Sequence, residues 1–185
     1  MLRVVLTGLP GVGKTTLLEK FGELGFKVKS CDQIVNRLYQ PGQAGYFRIK
    51  NVLGARFVSS EGVLRKTLSE QLAQGQLELE QIDQLIHPLI AQQLSQSDFD
   101  FCECPVLGSP YLELKNVKVV KLVCDPVVRR ERLSDKKGWS AEQITQRSNY
   151  YQERVKPDLT IDTTPGVSLA LANEVLNLLK QDVYR

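Results

Sequence analysis

Along the chain, short apolar runs alternate with longer stretches in which apolar residues recur at helical spacing. The first run, Arg3 to Thr7, is nearly continuous and predicts a strand buried on both faces, followed by a helix from Thr15 to Leu24. GFKVKSCD predicts a second strand ending at an acid, Asp32; FCECPVL, KVVKLVC and DLTIDTT predict the third, fourth and fifth. Between the second and third, the chain mixes helical stretches with turn signals at Pro41-Gly42, Gly54 and Glu61-Gly62. From Glu78 to Gln93, Leu79, Ile82, Leu85, Ile86, Leu89 and Ile90 mark one helical face, with Pro88 expected to bend or start the helix. Ser95 to Asp100 is polar and loop-like. Pro165 to Leu179 predicts a last amphipathic helix carrying Leu169, Ala172, Val175, Leu176 and Leu179 on one side.

Strands alternating with helices predict an α/β fold: a parallel five-stranded sheet flanked by helices, with right-handed crossovers and ligands at the carboxyl ends of the strands. A length of 185 residues suits a single domain over 1–185, with a helical insertion at about 33–95 and a lid at about 127–157.

Composition narrows the picture only a little. Basic and acidic residues nearly balance, 24 against 21, and the net +3 argues for neither a nucleic-acid nor a membrane partner. No apolar run approaches the roughly 18 residues a membrane span needs, and the N-terminal residues lead straight into a strand, so a cytoplasmic protein is expected. The single histidine excludes paired Cys–His zinc patterns, and Cys31, Cys102, Cys104 and Cys124 sit in or beside apolar runs, so neither a disulfide nor a structural metal is expected.

The chemistry concentrates in GLPGVGKTT, which satisfies GxxxxGK[ST] through Gly8, Gly13, Lys14 and Thr15 and lies between a predicted strand and a predicted helix. Such a loop wraps its amides around phosphate, here along Gly8, Pro10, Gly11, Val12, Gly13, Lys14, Thr15 and Thr16. Lys14 would lie along the β- and γ-phosphates of ATP, and Thr15 would ligate Mg²⁺.

Phosphoryl transfer also needs an acid near the acceptor hydroxyl. Asp32, at the end of the second strand, is placed for that role, because a strand's carboxyl end lies in the ligand crevice; the alternative is a cap on a helix starting at Gln33. Glu103 interrupts an apolar strand, either to hold Mg²⁺ through water or as an exposed strand-end carboxylate. The basic stretch from Asp125 to Lys156 suggests a lid, with Arg132 and Arg147 the candidates for phosphate or base contact and most of the other basic residues at the surface. His87, before Pro88, reads from its surroundings as a structural residue more readily than a ligand neighbour.

Taken in order, these segments resemble the dephospho-CoA kinase family of P-loop small-molecule kinases, which transfers the ATP γ-phosphate to the ribose 3′-hydroxyl of dephospho-CoA. GLPGVGKTT is similar to the family's loop, and ELGFKVKSCDQIVNRLYQPG to the strand, acid and helix that follow it. EGVLRKTL resembles a Gly-x-Leu-x-Arg-x-x-Leu signature, LIHPLI a His-Pro-Leu segment, CECPVLGSPYLE the strand and segment lining the acceptor, VVRRERL the start of the lid, and PDLTIDTTPG the closing segment near adenine. The resemblance implies Asp32 as catalytic base, Lys14 and Arg132 as further catalytic residues, and Asp32, His87, Pro105 and Leu107 on the acceptor, which the helical insertion receives. It also implies ATP with Mg²⁺, the metal held by Thr15 and, through water, Glu103. Ser109 stands where the family usually has Glu, Thr163 where it has Asn, and Lys136 or Lys137 in place of a second lid arginine. Two other readings are a nucleoside or nucleotide kinase and a non-catalytic nucleotide-binding regulator. EGVLRKTL and LIHPLI speak against the first, and the lack of an Asn-Lys-x-Asp motif against a GTP switch.

Overall fold

The computed structural model describes residues 3–150 and 155–183. In chain order, β1 (Arg3–Thr7) leads through the glycine-rich loop to α1 (Lys14–Glu23) and β2 (Val28–Ser30). Then come α2 (Cys31–Leu38), α3 (Ala44–Val52), the strands β3 (Val58–Ser59) and β4 (Gly62–Val63), α4 (Arg65–Ala73) and α5 (Leu79–Ser95). The chain closes with β5 (Phe101–Glu103), β6 (Val117–Val123), α6 (Pro126–Lys137), α7 (Ala141–Tyr150), β7 (Leu159–Asp162) and α8 (Leu169–Val183).

Two compact units result: one comprises Met1–Ser30, Asp98–Gly108 and Lys115–Arg185, the other Cys31–Ser97 and Ser109–Leu114. In the first, a five-stranded sheet runs in the order β2-β5-β1-β6-β7, and every neighbouring pair is parallel. Strands of such a sheet are covered on both faces, which is why their sequences read as unbroken apolar runs. Leu17, Leu18 and Phe21 of α1, and Ala172, Val175 and Leu179 of α8, join Val4, Leu6, Val120, Leu122 and Ile161 in one core. Phe21 stacks on Phe101 with ring centroids 3.8 Å apart, fastening α1 to the strand that lies beside β1.

The second unit is mainly helical, with α5 packed on α2 and α3 around Ile34, Leu38, Ile49, Ile82, Ile86 and Ile90. An antiparallel pair, β3 with β4, adds a hairpin that the sequence pattern does not announce.

Four boundaries differ from the sequence expectation, each for a local reason. The second strand stops at Ser30, and Cys31 already opens α2, so Asp32 lies in the first helical turn and does not cap a helix starting at Gln33. A carboxylate there faces the positive end of the helix dipole, a favourable place for it. The third strand is only Phe101–Glu103, and Pro105, two residues beyond, has no N–H to extend the ladder. Of the two roles expected for Pro88, bending or starting the helix, starting it is excluded, because α5 begins at Leu79 and runs through it. Pro88 has no N–H for the Gln84 carbonyl, and at the next carbonyl, that of Leu85, Arg48 Nη1 donates at 3.1 Å. Finally, α8 begins at Leu169, because Pro165-Gly166 is spent on a turn and the Ser168 hydroxyl accepts the Leu171 N–H at 3.2 Å. Among the described residues, no helix is long and apolar enough to cross a membrane.

Candidate active site

The loop leaves the carboxyl end of β1 at the middle of the sheet. A Cβ on Gly8 would lie 2.5 Å from the Leu122 carbonyl oxygen of β6, so only glycine lets the loop pass that strand. Lys14, the first residue of α1, is 6% exposed, and its Nζ donates to the carbonyls of Gly8 and Leu9, both at 2.9 Å. The ammonium therefore folds back over its own loop, in reach of whatever anion the loop amides hold.

Beside it, the Thr15 hydroxyl lies 3.0 and 3.2 Å from the two carboxylate oxygens of Glu103. Glu103 ends β5, in register with Leu6 of β1 and Ser30 of β2, and is 6% exposed. It is thus a buried partner of the loop and not an exposed strand end. Magnesium prefers oxygen donors and keeps several waters, and a hydroxyl beside one buried carboxylate is a donor set that suits it.

On the other side of the loop, α6 is fixed by strong end signals. The Asp125 carboxylate accepts the N–H groups of Val127 and Val128 at 2.8 and 3.2 Å, Pro126 occupies the first turn, and Gly138 closes the helix in a left-handed conformation. From this helix Arg129 Nη1 donates to the Pro10 carbonyl at 3.2 Å. Arg132 donates through Nη2 to the carbonyls of Thr163 and Thr164, at 2.8 and 3.3 Å, and through Nη1 to Cys124 Sγ at 3.4 Å. Its guanidinium thus ties α6 to the segment after β7.

Thr163, fully buried, places its hydroxyl 2.7 Å from the Val12 carbonyl and 2.9 Å from that of Val123. Next to it, the hydroxyl and then the amide of Thr164 donate to Asp162, with Arg132 adding a favourable charge, and hold that carboxyl below its usual range. Sequence reasoning reached Arg132 but missed Arg129 and Thr163 as loop neighbours. Both act on backbone carbonyls, which leave no spacing signature. Arg147 belongs to α7, but its side chain lies outside the described residues, as do residues 151–154 of the expected lid.

Pro105 and Leu107 follow β5 in the same unit, Pro105 half-buried and Leu107 buried. The remaining candidates belong to the second unit. Asp32 is exposed on the first turn of α2. His87 is buried on α5, with Nδ1 2.8 Å from the Ser109 hydroxyl and Nε2 3.2 Å from Asp83. Ser109, which replaces the usual family Glu, thus contributes a hydroxyl to the histidine. Arg65, from the EGVLRKTL segment, donates to Asn36 Oδ1 at 2.6 Å and lies over the ring of Tyr39. Burial pushes the Tyr39 hydroxyl above its ordinary value, with Arg65 opposing and Asp83 adding to the shift. The structure therefore groups Lys14, Thr15, Glu103, Arg129, Arg132 and Thr163 around the loop in one unit, and Asp32 and His87 in the other.

The model of the dephospho-CoA kinase family matches residues 2–157, from the first strand through the basic helices. The chain belongs to the dephospho-CoA kinase family. A dephospho-CoA kinase of Rhizobium meliloti (strain 1021) is 28% identical over 180 residues, covering 89% of this chain and 90% of that protein. One from Escherichia coli (strain K12) is 28% identical over 181 residues, covering 94% and 82% respectively. The solved dephospho-CoA kinase from Campylobacter jejuni has the same fold, with a TM-score of 0.61 at 19% identity, covering 98% of this chain and 96% of its own. Membership makes the chain a kinase that uses ATP.

Proposed function

We propose that this chain transfers the γ-phosphoryl group of ATP to the ribose 3′-hydroxyl of dephospho-CoA, giving CoA and ADP, the last step of CoA biosynthesis. The carrying observation is the reach of the family match. It runs through EGVLRKTL and LIHPLI, which lie outside the loop that all such kinases share. A cytoplasmic setting suits this reaction.

In this reading the loop amides and Lys14 hold the β- and γ-phosphates of ATP. Thr15 and, through water, Glu103 would hold Mg²⁺, which when bound supplies charge neutralisation on the donor phosphates. Asp32 accepts the proton of the 3′-hydroxyl as its oxygen bonds to phosphorus and the bond from phosphorus to the β–γ bridging oxygen breaks. The insertion at about 33–95, with His87, and the residues Pro105 and Leu107 receive the acceptor. Residues 127–157 act as a lid, from which Arg132 and Arg147 meet the phosphates or base during turnover and water is excluded.

The test is ATP consumption with dephospho-CoA, with a panel of nucleosides and nucleotides, or with no acceptor, the product being weighed. A product with the mass of CoA, formed only with dephospho-CoA, is expected. Transfer to another acceptor, or ATP binding without transfer, would sink the assignment.

Glu103→Gln offers a separate check on the donor side. Removing an outer-sphere carboxylate typically weakens metal affinity about 10- to 100-fold. The Mg²⁺ concentration giving half-maximal turnover should rise by that order, with saturating Mg²⁺ restoring much of the rate. An unchanged Mg²⁺ dependence would remove Glu103 from the metal site.

A further inference from the structure

Two peptide groups of the loop are gripped from outside by side chains far away in sequence, and both precede a glycine. Arg129 Nη1 holds the carbonyl of the Pro10–Gly11 peptide at 3.2 Å, and the Thr163 hydroxyl holds that of the Val12–Gly13 peptide at 2.7 Å. The same hydroxyl lies 2.9 Å from the Val123 carbonyl, which also accepts the Thr163 N–H; the shorter of its two contacts is the one to Val12.

A trans peptide is planar, with its N–H directed opposite to its C=O. Fixing the carbonyls of Pro10 and Val12 therefore fixes the direction of the Gly11 and Gly13 amides, away from Arg129 and Thr163. Those amides need such help. Gly11 and Gly13 have φ of 83° and 91° and no side chain, so the peptides before them rotate more easily than others in the loop.

We propose that Arg129 and Thr163 are positioning residues that preset the Gly11 and Gly13 amides toward the nucleotide phosphates, with Thr163 performing the task in this chain at a position where the family usually carries Asn. The idea rests on the donor half of the function proposed above, nucleotide binding by the loop, and is independent of the acceptor.

The experiment measures ATP–Mg²⁺ affinity by calorimetry without acceptor, beside the thermal midpoint, for the full chain and for Thr163→Val, Thr163→Ser and Arg129→Met. Thr163→Val keeps the shape and deletes the hydroxyl. It should weaken ATP binding about tenfold, the scale of one lost hydrogen bond with a carbonyl left unpaired. Thr163→Ser should restore it, and the half-buried Arg129→Met, which leaves the core alone, should weaken it by a similar factor at an unchanged midpoint. Adenosine, which lacks phosphates, should bind every variant alike. Wild-type ATP affinity in Thr163→Val and Arg129→Met would overturn the proposal, as would a loss that Ser does not rescue or one that extends equally to adenosine. If the wild-type chain binds ATP yet does not phosphorylate dephospho-CoA, the acceptor assignment fails while these comparisons still decide the roles of Arg129 and Thr163.

Discussion

Lys14→Ala should lower kcat/KM for ATP on the order of 10²–10³-fold, the usual effect of removing one preorganised donor from a transferring phosphoryl group. The ammonium donates to the Gly8 and Leu9 carbonyls of its own loop and is not part of the apolar core, so its loss should leave the sheet and that core intact. Steady-state kinetics with circular dichroism of the same sample checks both halves. Part of the effect should fall on KM and part on kcat, because negative charge builds on the departing β–γ bridging oxygen and Lys14, placed along the β- and γ-phosphates, meets them in both states. Full activity in a folded Lys14→Ala protein would mean that phosphate is bound somewhere other than this loop.

Asp32→Asn should have the complementary signature. A general base contributes typically about 10²–10⁴-fold, so kcat should fall by that order while ATP affinity stays at the wild-type value. Asn is similar in size and lacks the basic carboxylate. If Asp32 serves only the first turn of α2, its replacement would cost about 0.3–1 kcal/mol of stability and leave kcat alone. Kinetics and a thermal melt on one preparation therefore separate a base from a helix-end charge. Normal turnover in Asp32→Asn would remove it from the chemistry.

The strands were legible because a parallel sheet needs apolar residues on both faces, and RVVLT or KVVKLV has little other use. The loop was legible for a different reason: phosphate binding demands glycine, lysine and a hydroxyl at fixed offsets along one stretch of chain. Failures occurred where the deciding partner is remote in sequence. Nothing near Thr163 reveals that its hydroxyl would reach Val12, and nothing in VVRRERL separates Arg129, on a loop carbonyl, from Arg130 at the surface. Pro88 was expected to bend or start a helix; α5 runs through it, with Ile86, His87, Leu89 and Ile90 buried on either side. Likewise nothing in FCECPVL tells whether Glu103 is exposed; its burial beside Thr15 answers that one question.

The position of β5 has a consequence for the order in which the chain can be built. β1 and β2 emerge first from synthesis, but they never pair with each other; each pairs with β5, which begins only after Cys31–Ser97 has been made. For that interval both early strands keep bare inner edges, open to pairing with another chain. The helices of the second unit, whose contacts are mostly nearer in sequence, can meanwhile form. A nascent or truncated chain ending before Phe101 thus carries the whole glycine-rich loop and Lys14 but lacks the strand, and the Glu103 carboxylate, that hold them in working shape.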